Sequence, residues 1–322
     1  MSANRQEVVD YFEGTRWDYR HLWRSEKAGA LHFGFYDRRI RNHVTALRRM
    51  TGYLASVVGI TPEDRIMDAG CGIGGCAIRV ADHFGCRVTG INITPFQVTA
   101  AREAADRARV DGIVEFLEAD FTDTGLPDAS HTVVWALESV VHVDDKEAFV
   151  REAHRVLAPG GRLMIAEYLV REDPAPTPAE EEELATWCRG WAMPGLLTAT
   201  EYERLLHKQG FEDVRIVDIS HHVAPSLHRL RWLVRLLGPT APAFRRLGVL
   251  APVPADNLIA SAAQIRMFDA GAWRYQVVTA RKPAVAEVGK QGEAEAGEPA
   301  VAAAGEPGDT ASLGRTAAEP TR

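Results

Sequence analysis

Asp68-Ala69-Gly70-Cys71-Gly72-Ile73-Gly74-Gly75 is the stretch on which the fold turns. It follows Arg65-Ile66-Met67-Asp68, a short apolar run that reads as a buried strand. It precedes Cys76-Ala77-Ile78-Arg79-Val80-Ala81, which reads as a helix. Gly70, Gly72, Gly74 and Gly75 give the crossing minimal side chains, so the backbone can take positive φ and a ligand can approach it closely. The start of the following helix offers free N–H groups and a partial positive charge. In dinucleotide enzymes such a turn holds a pyrophosphate. Here it opens with Asp68, whose carboxylate repels a phosphate but can accept hydrogen bonds from an ammonium group.

Outward from this turn the chain alternates. Apolar runs over 65–68, 86–91, 113–117, 131–136 and 162–167 predict strands. A helix begins at Pro95, suited to a first-turn position, and runs to about Ala108. Another runs from Lys146 to Leu157 and ends at Pro159-Gly160-Gly161. A helix over 201–209, closed by Gly210, leads to strands over 214–219 and 273–280. This predicts an α/β, Rossmann-like, doubly wound and mostly parallel seven-stranded sheet with a helical cap. The expected organisation is an N-terminal helical lid segment over 1–60 and a body over 61–282, its cap inserted at about 220–271, then a tail over 283–322. Within the first segment Ile40, Val44, Leu47 and Leu54 share one helical face. The tail is Ala, Glu, Gly, Pro and Thr with few large apolar residues, so it cannot bury enough surface to offset its ordering entropy and is expected to be disordered.

Composition narrows the classes. The chain has 322 residues, 46% hydrophobic and 25% charged, with a net charge of -7. That balance argues against a broad nucleic-acid surface. The N-terminus lacks the apolar core of a secretory signal, and no run reaches the roughly 18 apolar residues that span a bilayer. Cys71, Cys76, Cys86 and Cys188 form no CxxC pair and no zinc-like spacing with histidine. The expectation is reduced thiols in a cytoplasmic protein with no metal site. A homo-oligomer is left open.

Ile66-Met67-Asp68-Ala69-Gly70-Cys71-Gly72-Ile73-Gly74-Gly75 resembles motif I of class I S-adenosylmethionine-dependent methyltransferases. Further blocks follow in the order of that family. Val88-Thr89-Gly90-Ile91-Asn92-Ile93-Thr94-Pro95-Phe96-Gln97 resembles the second-strand block of the sterol, tocopherol and rebeccamycin-type sugar methyltransferase group. Glu118-Ala119-Asp120-Phe121 resembles the adenine-binding block, and Trp135-Ala136-Leu137-Glu138-Ser139 with His142 the substrate-facing block. Arg155-Val156-Leu157-Ala158-Pro159-Gly160-Gly161-Arg162-Leu163 resembles the turn that follows the family's next helix.

The resemblance implies S-adenosylmethionine as cofactor. It puts Asp68, Gly70, Cys71 and Gly72 on the methionine and ribose side, Asp120 on the adenine amino group with Phe121 against the ring, and Leu137 in the same set. Many members carry an acid at the end of the second strand to hold the ribose hydroxyls; this chain has Asn92, which both donates and accepts, with Gln97 nearby. Asp68 and Asn92 together count against a nicotinamide cofactor. Leu31-His32-Phe33-Gly34-Phe35-Tyr36 resembles the segment that closes over the cofactor.

Methyl transfer from a sulfonium needs the acceptor aligned and one proton removed. His142 suits that task, and the rebeccamycin-type resemblance implies a general base there with an acid at Glu167, which orients the imidazole or touches the acceptor. Glu138 is a second carboxylate on this rim. With Tyr11, Tyr19 and Trp23 it could instead wall a carbocation formed by carbon methylation. The expectation is therefore a methyltransferase for a small, largely apolar, lipophilic metabolite of natural-product type, with oxygen transfer slightly favoured. Carbon methylation of an isoprenoid or prenyl diphosphate is the alternative, and a non-catalytic cofactor-binding module the alternative of another class. The cationic stretch from Leu227 to Leu237, with Leu227, Leu230, Val234 and Leu237 on one face, reads as a lid helix, a membrane-surface helix, or an arginine cradle for a diphosphate.

Overall fold

The computed structural model describes residues 3–16, 29–237 and 252–284. Tyr19, Trp23 and the expected tail from residue 285 on lie outside the described residues. In chain order the elements are α1 (Ala3–Gly14), α2 (His43–Val58), β1 (Arg65–Ala69), α3 (Gly75–Phe84), β2 (Arg87–Asn92), α4 (Pro95–Ala108), β3 (Val114–Glu118), β4 (His131–Leu137), a 3-10 turn (Val140–His142), α5 (Lys146–Val156), β5 (Leu157–Val170), α6 (Pro178–Gly190), α7 (Ala199–Lys208), β6 (Glu212–Asp218), α8 (Ser220–Leu237), α9 (Pro252–Asp269) and β7 (Trp273–Arg281).

The strands form one seven-stranded sheet in the order β3-β2-β1-β4-β5-β7-β6. The first five are parallel, and β7 runs antiparallel between β5 and β6. Strand order reverses between β1 and β4, so a crevice opens at their C-terminal ends, where open α/β sheets bind ligands. Both faces are covered, and the alternation along β4 shows it: Val133 and Trp135 enter one core, Val134 and Ala136 the other. No helix among the described residues is long and apolar enough to cross a membrane.

Two expectations are corrected. The N-terminal segment is not helical throughout. A non-helical stretch over 29–42 precedes α2, because Asn42 caps that helix by accepting from the Thr45 N–H, so Ile40 lies outside it. The face α2 buries is Ala46, Leu47, Met50, Leu54, Ala55 and Val58. The Pro159-Gly160-Gly161 segment is not a turn but part of β5, which starts at Leu157; Gly160 donates to the Lys282 carbonyl at 3.0 Å, and the Lys282 N–H donates to Gly161 at 2.8 Å. The segment expected as the cap holds α8 and α9, and α6 lies against α9. It packs so closely on α9 that a Cβ at Gly190 would meet Ala260 Cβ at 2.5 Å.

Candidate active site

On the β1 side of the crevice the backbone does most of the shaping. Gly70 sits at φ +81 and donates to the Ile91 carbonyl at 2.8 Å. A Cβ there would overlap Ser139, whose hydroxyl donates to the Ala69 carbonyl at 2.6 Å and joins β1 to the end of β4. Gly74, at φ +80, begins α3 without a side-chain cap, so the first N–H groups of that helix are not taken by a capping side chain. At Gly72 an added Cβ would find only Leu31 Cδ1, at 3.6 Å, which leaves a shallow cradle in the turn.

Asp68 lies at the head of that cradle. It is buried, and Oδ2 has no hydrogen-bond partner among the described residues. Burial, and then the Cys76 thiol, hold its carboxyl well above the usual carboxylate range. A cationic ammonium is the group that would partner the oxygen and restore the charge, so the residues present fit the methionine end of S-adenosylmethionine. Asn92 donates to Gln97 Oε1 at 2.7 Å and to the Gly72 carbonyl at 3.3 Å, so its amide fixes the turn and Gln97 together. At the end of β3, Asp120 Oδ1 accepts both the N–H and the hydroxyl of Thr122, at 2.9 and 2.7 Å, which aims the other carboxyl oxygen elsewhere. Phe121 is buried edge-on to Phe149, 5.4 Å between centroids. Cys71 is buried beside the turn, and burial pushes its thiol well up; Leu137 is half-buried at the tip of β4.

The segment from Gly29 to Tyr36 lies directly over this turn. The Gly29 carbonyl occupies the space a Cβ on Gly75 would need. His32 donates from Nδ1 to the Phe33 carbonyl at 2.7 Å, and its Nε2 lies 3.3 Å from Cys76 Sγ on α3. Gly34 donates to the Ser226 hydroxyl on α8 at 3.0 Å, Phe35 to the Ala46 carbonyl at 3.0 Å, and Tyr36 to the His222 carbonyl at 2.9 Å. His222 returns a bond from Nδ1 to the Tyr36 carbonyl at 2.7 Å and stacks on Phe35.

The β4 and β5 side carries the polar chemistry. Glu138 sits at φ +51, a conformation that costs a non-glycine residue of order 1 kcal/mol or more. Its Oε1 accepts the Phe33 N–H and the Tyr275 hydroxyl, each at 2.7 Å, and Oε2 accepts the Tyr168 hydroxyl. Burial raises its carboxyl above the usual range, opposed by His32 and these donors. His142 ends the 3-10 turn beside α1, its ring 6.2 Å from Tyr11 and 5.4 Å from Phe12. Nδ1 lies 3.2 Å from the Ala192 carbonyl. A carbonyl only accepts, so Nδ1 donates in that bond, and the Trp191 main chain is a second hydrogen-bonding partner of the ring. Burial pulls the imidazole down to about 4, and the ring is neutral near pH 7.

Glu167 is buried in the core. It lies on the same face of β5 as the buried Leu163, Ile165 and Leu169, 1% exposed, and accepts the Val141 N–H at 3.0 Å and the Tyr202 hydroxyl. It reaches His142 through the backbone of the 3-10 turn rather than through the ring. The carbocation wall is also differently made: Glu138 is bound by Tyr168 and Tyr275, while Tyr11 is buried beside His142 and donates to Asn257 at 3.3 Å. Sequence reading missed Tyr168, Tyr275, Trp187, Trp191 and Trp273, whose rings pack edge to face around Tyr168 at 5.1 to 6.2 Å. The alternation Trp273-Arg274-Tyr275 at the start of β7, beside the strand carrying Tyr168, was the signal available. Among the described residues no group of His, Cys, Asp or Glu is arranged to hold a metal ion.

This strand order, with the glycine turn at the switch point and an unpartnered carboxylate oxygen at its head, defines a nucleotide-type α/β fold whose crevice suits a cationic ligand better than a phosphate. Residues 67–165 match a family profile described as a methyltransferase domain. The 27-O-demethylrifamycin SV methyltransferase of Amycolatopsis mediterranei is 38% identical over 196 residues, 61% of this chain and 71% of the relative. Methyltransferase GfsG of Streptomyces halstedii is 30% identical over 88% of this chain and 96% of its own. Among solved structures, the [4+2]-cyclase SpnF aligns with a TM-score of 0.69 and 25% identity over 86% of this chain and 97% of that one. The chain belongs to the class I S-adenosylmethionine-dependent methyltransferases, and S-adenosylmethionine is its cofactor.

Proposed function

We propose that this methyltransferase acts on an oxygen of a small, largely apolar metabolite, with His142 taking the proton. The observation that carries this is the neutral imidazole on the rim, tied through Nδ1 to Ala192 and flanked by Tyr11 and Phe12. Bound S-adenosylmethionine supplies an electrophilic methyl group on a sulfonium. Asp68 holds the ammonium end, Asn92 and Gln97 the ribose, and Asp120 the adenine amino group, while residues 29–36 exclude water. An imidazole held near 4 is too weak a base to ionise a free phenol. It is strong enough once the oxygen has begun to bond to carbon, because that oxygen then gains positive charge and its proton becomes far more acidic. Proton removal therefore accompanies or follows methyl transfer. Glu167 acts as a positioning residue, holding the Val141 N–H and thereby the turn that presents His142.

The rifamycin relative, named for an O-demethyl substrate, supports oxygen as the acceptor atom. Carbon transfer remains the second reading, supported by the ring cluster around Tyr168 and the Glu138 carboxylate, a set suited to a transient cation. Four buried, unpaired cysteines support a reducing, cytoplasmic setting. The test is product mass analysis with apolar phenol and enol acceptors, using wild type and His142→Ala. Oxygen transfer predicts a turnover loss of about a hundredfold in the variant with S-adenosylhomocysteine affinity unchanged. Full turnover by His142→Ala removes it as the base, and a product methylated at carbon reverses the ranking.

A further inference from the structure

Gln264 is out of place in the cap. It is fully buried on α9, and neither its amide nitrogen nor its amide oxygen has a hydrogen-bond partner among the described residues. At helical spacing it falls in one stripe with Ala260, Ala263 and Met267, all buried. The packing of Gly190 against Ala260 and the Arg266–Glu183 ion pair at 2.6 Å make α6 and α9 antiparallel neighbours. One turn along from the Gly190–Ala260 contact, that register sets Gln264 level with Trp187. The Trp187 and Trp191 indole N–H groups are also buried without a partner among the described residues. Trp273 completes the group: its indole N–H donates to the Gln264 main-chain carbonyl at 3.0 Å, and its ring lies 5.1 Å from that of Trp187. Leaving a buried amide and two indole donors unmet is costly, because each has lost water and gained nothing. Such groups persist where a ligand meets them.

We propose that Gln264, with the Trp187 N–H group, is the specificity-determining polar end of the acceptor site, where it binds a neutral hydroxyl at the far side of the acceptor from the atom that is methylated. The inference rests on the reading of the acceptor as a small, largely apolar metabolite. A hydroxyl both donates and accepts, which matches an amide that offers one of each. The Trp187 indole N–H adds a donor for its remaining lone pair, and the rings of Tyr168, Trp187 and Trp191 suit a flat, apolar body. A neutral amide does nothing to offset a diphosphate, so this end selects oxygenated ring systems over prenyl diphosphates.

The experiment uses the full chain loaded with S-adenosylhomocysteine and a matched pair of probes, a naphthol and the naphthalenediol carrying one more, distal hydroxyl. Binding is followed by indole fluorescence. Wild type should bind the diol about tenfold more tightly, and Gln264→Leu should bind both alike while holding S-adenosylhomocysteine as wild type does. A diol preference absent from wild type, or kept in Gln264→Leu, overturns the proposal, as does binding of neither probe. Gln264→Met is the second variant should leucine fail to fold. If both variants melt more than about 5 °C below wild type, the amide is a structural part and the proposal falls. Methyl transfer to the probes is scored separately. A diol preference that depends on Gln264 without any transfer to oxygen removes the oxygen-transfer reading alone, whereas transfer to oxygen without the preference removes this inference alone.

Discussion

On the β1, β2 and β3 side of the crevice, the groups facing the ligand come from strand tips and from one run of eight residues, 68–75, and much of the shape is made by backbone. On the β4, β5 and β7 side they are side chains from six separate segments: Phe33, Glu138, His142, Tyr168, Trp187 and Tyr275. The first side serves a constant ligand and is written locally. The second, which the proposed function gives to the acceptor, is assembled over long range. Changing a residue on the first side should therefore damage folding and cofactor binding together. Changing one on the second should alter turnover with little effect on the first.

Gly70→Ala should have the largest effect. The new Cβ would overlap Ser139 at a φ that alanine disfavours. We expect about 3 kcal/mol of lost stability and a loss of S-adenosylhomocysteine affinity of at least tenfold, read by denaturant unfolding and calorimetric titration. Wild-type affinity in that variant would mean the glycine is not shaping the site. Glu138→Gln comes next and tests whether the two sides are separate at all. Its carboxylate accepts from Phe33 on the covering segment and from Tyr168 and Tyr275 on the sheet, so cofactor Kd and acceptor KM should both rise, by several-fold to tenfold. A change in KM alone would make Glu138 a residue of the acceptor side only.

The smallest effect is a pH dependence. Burial pushes Glu167 up to about 7, so the folded protein binds its proton more tightly than the unfolded chain does. Its contribution to stability is complete below the ordinary glutamate value and is lost as pH rises through about 7. His142, pulled down to about 4, runs the other way: its contribution is present above the ordinary histidine value and is lost as pH falls towards 4. Glu167→Gln removes the first effect and keeps the second. Its stability relative to wild type should rise between about pH 5 and pH 7, measured by denaturant unfolding at each end. An unchanging difference would mean that Glu167 does not titrate in that window.

The same contrast decided what could be read in the sequence. The parallel sheet was legible because each buried strand is a short apolar run bounded by turn residues, and the turn at Gly70 because its glycines stand next to Asp68. Ile40 was misplaced because helical spacing continues back past Asn42, whereas the cap stops the helix there. The burial of Glu167 was not legible, because nothing local distinguishes the face of β5 that holds Leu163 and Ile165 from the one that holds Tyr168. The pairing of Glu138 with Tyr275 spans 137 positions, and no periodicity reports it. Gln264 looks like any glutamine on a helix until the packing of α6 and α9 buries it.

Tyr36 and His222 hold each other by two hydrogen bonds, and Gly34 is held by Ser226. The strip above the glycine turn is thus fastened to α8 through its own main-chain groups, as Phe35 is to α2 and Phe33 to Glu138, so it lifts only by breaking these bonds together. Where the spent cofactor leaves past this strip, its departure is a concerted opening rather than the flicker of a loop. Where that opening is slower than the chemistry, the enzyme shows a burst of product in its first turnover and a steady rate set by release. Loosening the clasp at Ser226 would then speed the steady rate and leave the burst unchanged.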